Sequence, residues 1–249
     1  IKLHGYITLP PTYKEGDKIP FIVHPHGGPN ARDYWGYNPE VQFYATRGYG
    51  VIQMDYRGST GYGREEMILA NHQMGKKMQE DKYDALMWAN EQGYVDMDNV
   101  CISGASYGGY AAMQAATKNP ELFKCIIAYV GVYDLTSMDL RGLRWSDLGM
   151  PMEYIEKGDP RDPDDYKNLY ENSPLFFAEN VEDPILIITG RRDNQVRFQE
   201  TVDMVNELKK YNKDYKYIIK GDEGHGFRNE TANLELYEDY EEFLAEHLN

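Results

Sequence analysis

Residues 101–112 read CISGASYGGYAA, and no other stretch restricts the fold of this chain as tightly. An apolar run ends in one serine between paired small residues, and an alanine-rich run follows at once. Gly104-Ala105-Ser106-Tyr107-Gly108 has the pattern G-x-S-x-G, here after an expected strand and before an expected helix. A strand that turns directly into a helix holds its corner residue in a strained backbone conformation. Bulky side chains at the two flanking positions would clash, which accounts for Gly104 and Gly108. Gly109 lets the helix pack closely on the strand. The corner serine then projects its hydroxyl at the carboxyl end of a sheet.

The rest of the chain fits that requirement. Short β-rich runs alternate with helical patterns. Strands are expected over 3–9, 21–26, 51–56, 100–103, 124–132, 185–189 and 215–220. Several are continuous apolar runs, as strands covered on both faces require. Helices are expected over 39–47, 79–92, 108–118, 197–211 and 232–248, with Phe198, Val202, Val205 and Leu208 as a core-facing stripe. The alternation predicts an α/β fold, a mostly parallel central sheet with helices on both faces. Residues 135–180 break the rhythm with a segment rich in Asp, Pro and Gly, centred on GDPRDPDDY. It reads as a surface excursion with short helices, either a linker or a lid over a site. No repeat of about 20–50 residues is present, which excludes a solenoid or propeller within this chain.

The 249 residues fit one large domain, here taken as 1–249. Such a domain buries roughly 70–75% of its unfolded surface and needs no disulfide. Cys101 and Cys125 sit inside apolar runs and read as inert core thiols. The 26 Lys+Arg against 41 Asp+Glu give a net charge of −15. That disfavours nucleic acid and anionic membranes as partners, because both demand clustered cations. No run approaches the roughly 18 apolar residues of a spanning helix. The start, IKLHGYITLP, has no initiator Met and no signal-like stretch, and it opens inside an expected strand. It reads as a piece cut from a longer protein, which leaves the compartment open.

A serine hydroxyl is a weak nucleophile and needs a base oriented by a third group. After a G-x-S-x-G turn, the acid and then the histidine follow in the chain. ILIITGRRDNQV is an apolar strand ending in a polar turn that carries Asp193. YIIKGDEGHGF is a further strand, then a loop with His225 between two glycines. Ser106, Asp193 and His225 are thus the expected catalytic residues, with Asp183 and Asp222 as nearby rivals for the acid. The oxyanion donors are expected to be the backbone N–H groups of Tyr107, at a helix N-terminus, and Gly28, in the loop of FIVHPHGGP. His24 and His26 lie two apart on a strand, but no third ligand of suitable spacing accompanies them, so they read as structural. No metal or cofactor is expected.

HPHGGP, DYRGSTGYG, GASYGGY and GHGF together resemble the peptidase domain of the prolyl oligopeptidase family, most of all its acylaminoacyl-peptidase and dipeptidyl-peptidase-like branches. The likeness runs from Gly5 to the last helix. It implies an α/β-hydrolase fold, the Ser106–Asp193–His225 triad, and the Gly28 and Tyr107 oxyanion hole. It also implies a short peptide as substrate and an N-terminal β-propeller in the full-length protein, absent from this chain. The family usually has His-Gly at the end of the strand before the acid, where this chain has Thr189-Gly190. Arg57, in DYRGS, reads as one half of a structural ion pair. Val132, Tyr133 and Trp145 are candidates to line a substrate pocket for an apolar side chain. Exopeptidase or endopeptidase action, the preferred residue and a homo-oligomeric state are left open.

Fold and triad do not choose between an amide and an ester, so a carboxylesterase or other acyl hydrolase is the alternative. A catalytically dead scaffold is a third reading. The retained Ser, Asp and His count against it. A nucleotide-binding protein is disfavoured, since no G-x-G-x-x-G follows the first strand and no P-loop is present.

Overall fold

The computed structural model describes residues 1–137 and 157–248. Seven strands form one sheet: β1 (His4–Thr8), β2 (Ile19–Val23), β3 (Gly50–Asp55), β4 (Val95–Ala105), β5 (Cys125–Tyr129), β6 (Ile185–Gly190) and β7 (Tyr215–Lys220). Their order is β1-β3-β2-β4-β5-β6-β7. Only β1 runs antiparallel to its neighbour, β3; the other pairings are parallel. Each expected strand is present. β4 starts earlier than expected, because Val95 already pairs with Ile19 across a register shift.

The central strands are buried on both faces, and their side chains sort with a period of two. Val100, Ile102, Ile126, Ala128, Ile185 and Ile187 point into one core. Cys101, Cys125, Ile127, Leu186 and Ile188 point into the other. The first core is covered by α3 (Lys77–Glu91), α4 (Tyr107–Lys118) and α6 (Phe198–Lys210). The second is covered by α1 (Pro39–Thr46) and α7 (Glu230–His247), through Val41, Tyr44, Leu236, Tyr240 and Leu244. Asn38 caps α1 and Asn229 caps α7, each accepting from two backbone N–H groups of the first turn. A short α2 (Arg64–Ile68) was not expected; it buries no side chain, so no apolar periodicity marks it.

Two expectations need correction. Cys101 and Cys125 are register partners on β4 and β5 and are joined as a disulfide, not two free thiols. Adjacent parallel strands set their side chains on the same face, so two core cysteines in register come within bonding reach. The stripe on α6 is also rotated from the expected one. Glu200, Thr201, Met204 and Leu208 are its buried residues, and Val205 packs at the margin. The buried carboxylate of Glu200 accepts from the backbone of Tyr133 (3.2 Å) and Asp134 (3.0 Å), which turns that face inward.

Part of the segment 135–180 carries short helices, as expected. In α5 (Pro163–Glu171), Asp162 caps the backbone N–H groups of Asp164 and Asp165, and Pro163 opens the helix. A 3-10 helix follows over Pro174–Asn180. Trp145 lies outside the described residues.

Candidate active site

Ser106 sits between β4 and α4 with φ 57° and ψ −119°, a left-handed conformation that non-glycine residues seldom adopt. The surrounding glycines explain how it is tolerated. A Cβ on Gly104 would meet the carbonyl carbon of Gly108 at 2.6 Å. One on Gly108 would strike the Pro25 carbonyl oxygen, and one on Gly109 would meet the Tyr129 oxygen at 2.8 Å. Strand, helix and the loop after β2 therefore touch backbone to backbone around the serine. Ser106 N–H donates to Tyr129 O at 2.9 Å, which ties the turn to β5.

Asp193 and His225 arrive from the loops after β6 and β7. Asp193 Oδ1 accepts from the backbone N–H groups of Gln195 and Val196, both at 2.8 Å. That leaves Oδ2 to face His225 Nδ1, at 2.8 Å. A carboxylate oxygen accepts, so Nδ1 carries the proton. His225 Nε2 is then the bare nitrogen, 2.9 Å from Ser106 Oγ. Hydroxyl, imidazole and carboxylate form one hydrogen-bonded line with its proton polarity fixed from the buried end. The Asp193 side chain is 1% exposed and that of His225 13%, so the carboxylate is the buried end of the line.

Neither rival acid reaches the histidine. Asp222 is an exposed partner of Arg192. Asp183 lies at the other end of β6, where burial and the neighbouring Glu182 push its carboxyl up to about 6.

The His225 loop is held by groups that sequence patterns did not single out. Glu223 is buried and accepts from the backbone N–H groups of Arg228 (2.8 Å) and Asn229 (3.1 Å). Phe227 N–H donates to the Tyr129 hydroxyl at 2.5 Å. A Cβ on Gly190 would meet the Glu223 and Gly224 oxygens at 2.5 Å, so the end of β6 can pack against this loop only as glycine. GDEGHGF carries Glu223, but nothing in the string tells a buried glutamate from a solvated one.

Tyr107 contributes the first N–H of α4, a position with no acceptor inside the helix. Gly28 has φ +131°, and a Cβ there would meet Asn30 N at 2.7 Å. Beside it, a Cβ on Gly27 would lie 3.4 Å from Ser106 Cβ, so this loop abuts the serine. Gly28, Ser106 and Tyr107 line one cavity of about 160 Å³ with Tyr110, Val132, Leu135 and Val196. Val132 thus stands where expected. Tyr133 does not: its ring is fully buried in the core. Alternation along the loop explains this, since neighbours on an extended segment face opposite ways. A larger cavity of about 510 Å³, between β1 and α3, holds none of these residues.

The histidines of HPHGGP are engaged within the protein. His24 Nδ1 lies 2.9 Å from Ser103 O, and His26 bonds Gly27 O (2.8 Å) and Ser59 Oγ (2.9 Å). Burial lowers the His26 pKa below the usual imidazole value. Arg57 forms a two-pronged pair with Asp81, whose Oδ2 also accepts the Arg57 backbone N–H at 2.9 Å. Among the described residues, no cluster of His, Cys, Asp or Glu is arranged to hold a metal ion. No described helix is long and apolar enough to cross a membrane.

A serine on a strand-to-helix corner, set against imidazole and carboxylate over a mostly parallel sheet, defines an α/β-hydrolase. The sequence signature described as the prolyl oligopeptidase family matches residues 35–249, and the chain belongs to that family. It is 36% identical over 253 residues to dipeptidyl aminopeptidase BIII of Pseudoxanthomonas mexicana, covering 98% of this chain and 36% of that protein. Dipeptidyl peptidase family member 6 of Caenorhabditis elegans is 34% identical over 266 residues, with the same two coverages of 98% and 36%. Among solved structures, a Mycobacterium tuberculosis puromycin-hydrolyzing peptidase superposes with a TM-score of 0.90 at 28% identity, over 99% of this chain and 37% of its own. An acylaminoacyl peptidase in complex with Z-Gly-Gly-Phe-chloromethyl ketone gives 0.87 at 29% identity, over 100% and 40%. The chain therefore spans well under half the length of the relatives it matches.

Proposed function

We propose that residues 1–249 are the single α/β-hydrolase catalytic domain of a serine peptidase that cleaves short peptides through an acyl-enzyme. The observation that carries this reading is the hydrogen-bonded line from Asp193 through His225 to Ser106. His225 Nε2 takes the Ser106 proton as Oγ attacks the scissile carbonyl. The imidazolium so formed is stabilised by Asp193, then gives that proton to the leaving amine. The carbonyl oxygen becomes an oxyanion, which the N–H groups of Gly28 and Tyr107 receive; losing one such donor typically costs about 2.7–4 kcal/mol of transition-state stabilisation. Water, deprotonated by His225, then releases the acyl group. No metal or cofactor takes part in any of these steps.

The cavity that holds Ser106 has an apolar side of Tyr107, Tyr110, Val132, Leu135 and Val196, beside Lys157 and Gln195, and that side suits an apolar side chain next to the cleaved bond. Two relatives at 36% and 34% identity are named dipeptidyl aminopeptidase BIII and dipeptidyl peptidase family member 6, which favours an amide over an ester as substrate. The chain's share of their length leaves room for a further, N-terminal domain, read here as the β-propeller.

A matched pair tests this reading: one short peptidyl group offered as an anilide amide and as an aryl ester to the full-length protein, with Ser106→Ala as control. Strong amide turnover that vanishes in the control is the expected result. Ester turnover with almost none on the amide overturns the peptidase reading in favour of an acyl hydrolase. Full turnover by Ser106→Ala overturns the nucleophile.

A further inference from the structure

Lys82 is fully buried on α3, on the same side of the sheet as α4. A buried lysine normally faces a carboxylate, because a lone ammonium in a protein interior is costly. Here no carboxylate of the described residues lies within ion-pair distance of it. Its neighbour Asp81 is turned to Arg57 instead. The ammonium donates to Met78 O at 2.6 Å, one turn back on its own helix. It also stands over two aromatic rings. Nζ stands 3.9 Å from the ring centre of Tyr56 and 5.3 Å from that of Tyr107.

Those two rings lead to the two oxyanion donors. Tyr107 is itself one donor, through its backbone N–H. Tyr56 stacks on His26 with ring centres 4.3 Å apart, and its hydroxyl donates to His26 O at 3.0 Å. His26 begins the His-Gly-Gly turn that carries Gly28. The rings of Tyr56 and Tyr107 also touch, with centres 5.2 Å apart. One ammonium is therefore the common contact behind both halves of the proposed hole.

We propose that Lys82 is a positioning residue of the oxyanion hole: its buried ammonium clamps Tyr56 and Tyr107, and through them holds the Gly28 and Tyr107 N–H groups in register. The inference rests on the Ser106 reading given above. A desolvated cation over an aromatic face is attractive, and two faces share this one. The same charge, fixed in a dry interior, also favours the negative charge that develops in front of it. The clamp needs the protonated amine.

Burial pushes the Lys82 ammonium down to about 7, with the Asp81 carboxylate opposing the shift. Other titratable groups around the clamp include Arg57, held by Asp81, His26, with Asp33 and Asp55 behind it, and Tyr110, whose ring centre lies 5.4 Å from that of Tyr107. Burial lowers His26, so it adds no competing cation near neutral pH; burial raises the phenols of Tyr56 and Tyr107, so both rings stay neutral. Turnover should accordingly fall as the pH rises above about 7, as the ammonium is lost.

The test compares full-length wild type, Lys82→Met and Ser106→Ala on a peptidyl anilide, with kcat and KM measured from pH 6 to about pH 10. Met keeps the length of the side chain and removes the charge. The expected result is a kcat lower by about tenfold in Lys82→Met with KM within about twofold, and no alkaline fall left in its profile. A peptidyl boronate, which mimics the tetrahedral oxyanion, should lose affinity by a similar factor while a product peptide does not. If Ser106→Ala is inactive and Lys82→Met matches wild type across that range, the clamp is wrong and the parent reading stands. If Ser106→Ala is active, the parent reading fails first. Should Lys82→Met not fold, the wild-type profile decides: a kcat level from pH 7 to about pH 10 overturns the clamp.

Discussion

Asp193 sets which nitrogen of His225 carries the proton. Two backbone N–H groups occupy its Oδ1, so Oδ2 has one orientation and the imidazole one tautomer. An amide at this position would present a donor to Nδ1 and reverse that polarity. Asp193→Asn is therefore expected to lower kcat by up to about 10⁴ with KM little changed. Asp222→Asn, at an exposed ion pair with Arg192, should leave both constants near wild type; steady-state kinetics of the two variants side by side separates the acids. The placement of Ser106 and His225 in loops at strand ends was legible in the string, because a strand-end serine and a Gly-flanked loop histidine are local patterns. Asp193 was already the expected acid, but setting Asp222 aside needed the fold. The two stand on different loops, and only the packing of β6 beside β7 shows which one faces the ring.

At the scale of elements, all seven strands were placed from sequence, the central β5 and β6 as continuous apolar runs because two-sided burial leaves little room for polar residues. Helix faces were less legible. The α6 stripe was misjudged because Glu200 looks like a surface residue in sequence, yet is buried beneath the loop that carries Val132. Its carboxylate also accepts from Ser137 Oγ at 3.0 Å and pairs with Arg197 at 2.7 Å. Glu200→Gln should loosen that loop and alter the cavity wall. The expected readout is a change in selectivity between small and large apolar side chains by severalfold, with activity on a good substrate retained. The Cys101–Cys125 pair was missed for a related reason: cross-strand register is not written in either strand alone. Denatured, unreduced protein should give no free-thiol reaction, and reduction should destabilise the fold by about 2–4 kcal/mol.

Across the whole molecule, the sheet separates two cores, and the proposed chemistry lies along its carboxyl edge where the loops after β2, β4, β6 and β7 meet. One buried charge, Lys82, ties stability to pH. Its pKa falls from 10.5 to about 7 on folding, so between those values the unfolded chain binds more protons than the folded one. Stability from this group therefore rises with pH over that window, and its full penalty stands below it. Lys82→Met should raise the unfolding temperature at pH 6 and flatten its rise towards about pH 9, by thermal melts at matched ionic strength. A gain in stability together with a loss of turnover would mark a residue kept for function.

The central claim is that Ser106 is the nucleophile of a charge-fixed line. Its most direct test is covalent trapping: full-length protein is treated with a peptidyl phosphonate, and the adduct is located by mass spectrometry. One adduct per chain is expected, on the peptide containing Ser106, formed at a rate that collapses in His225→Ala. An adduct on another residue, or labelling at an undiminished rate without His225, would contradict it.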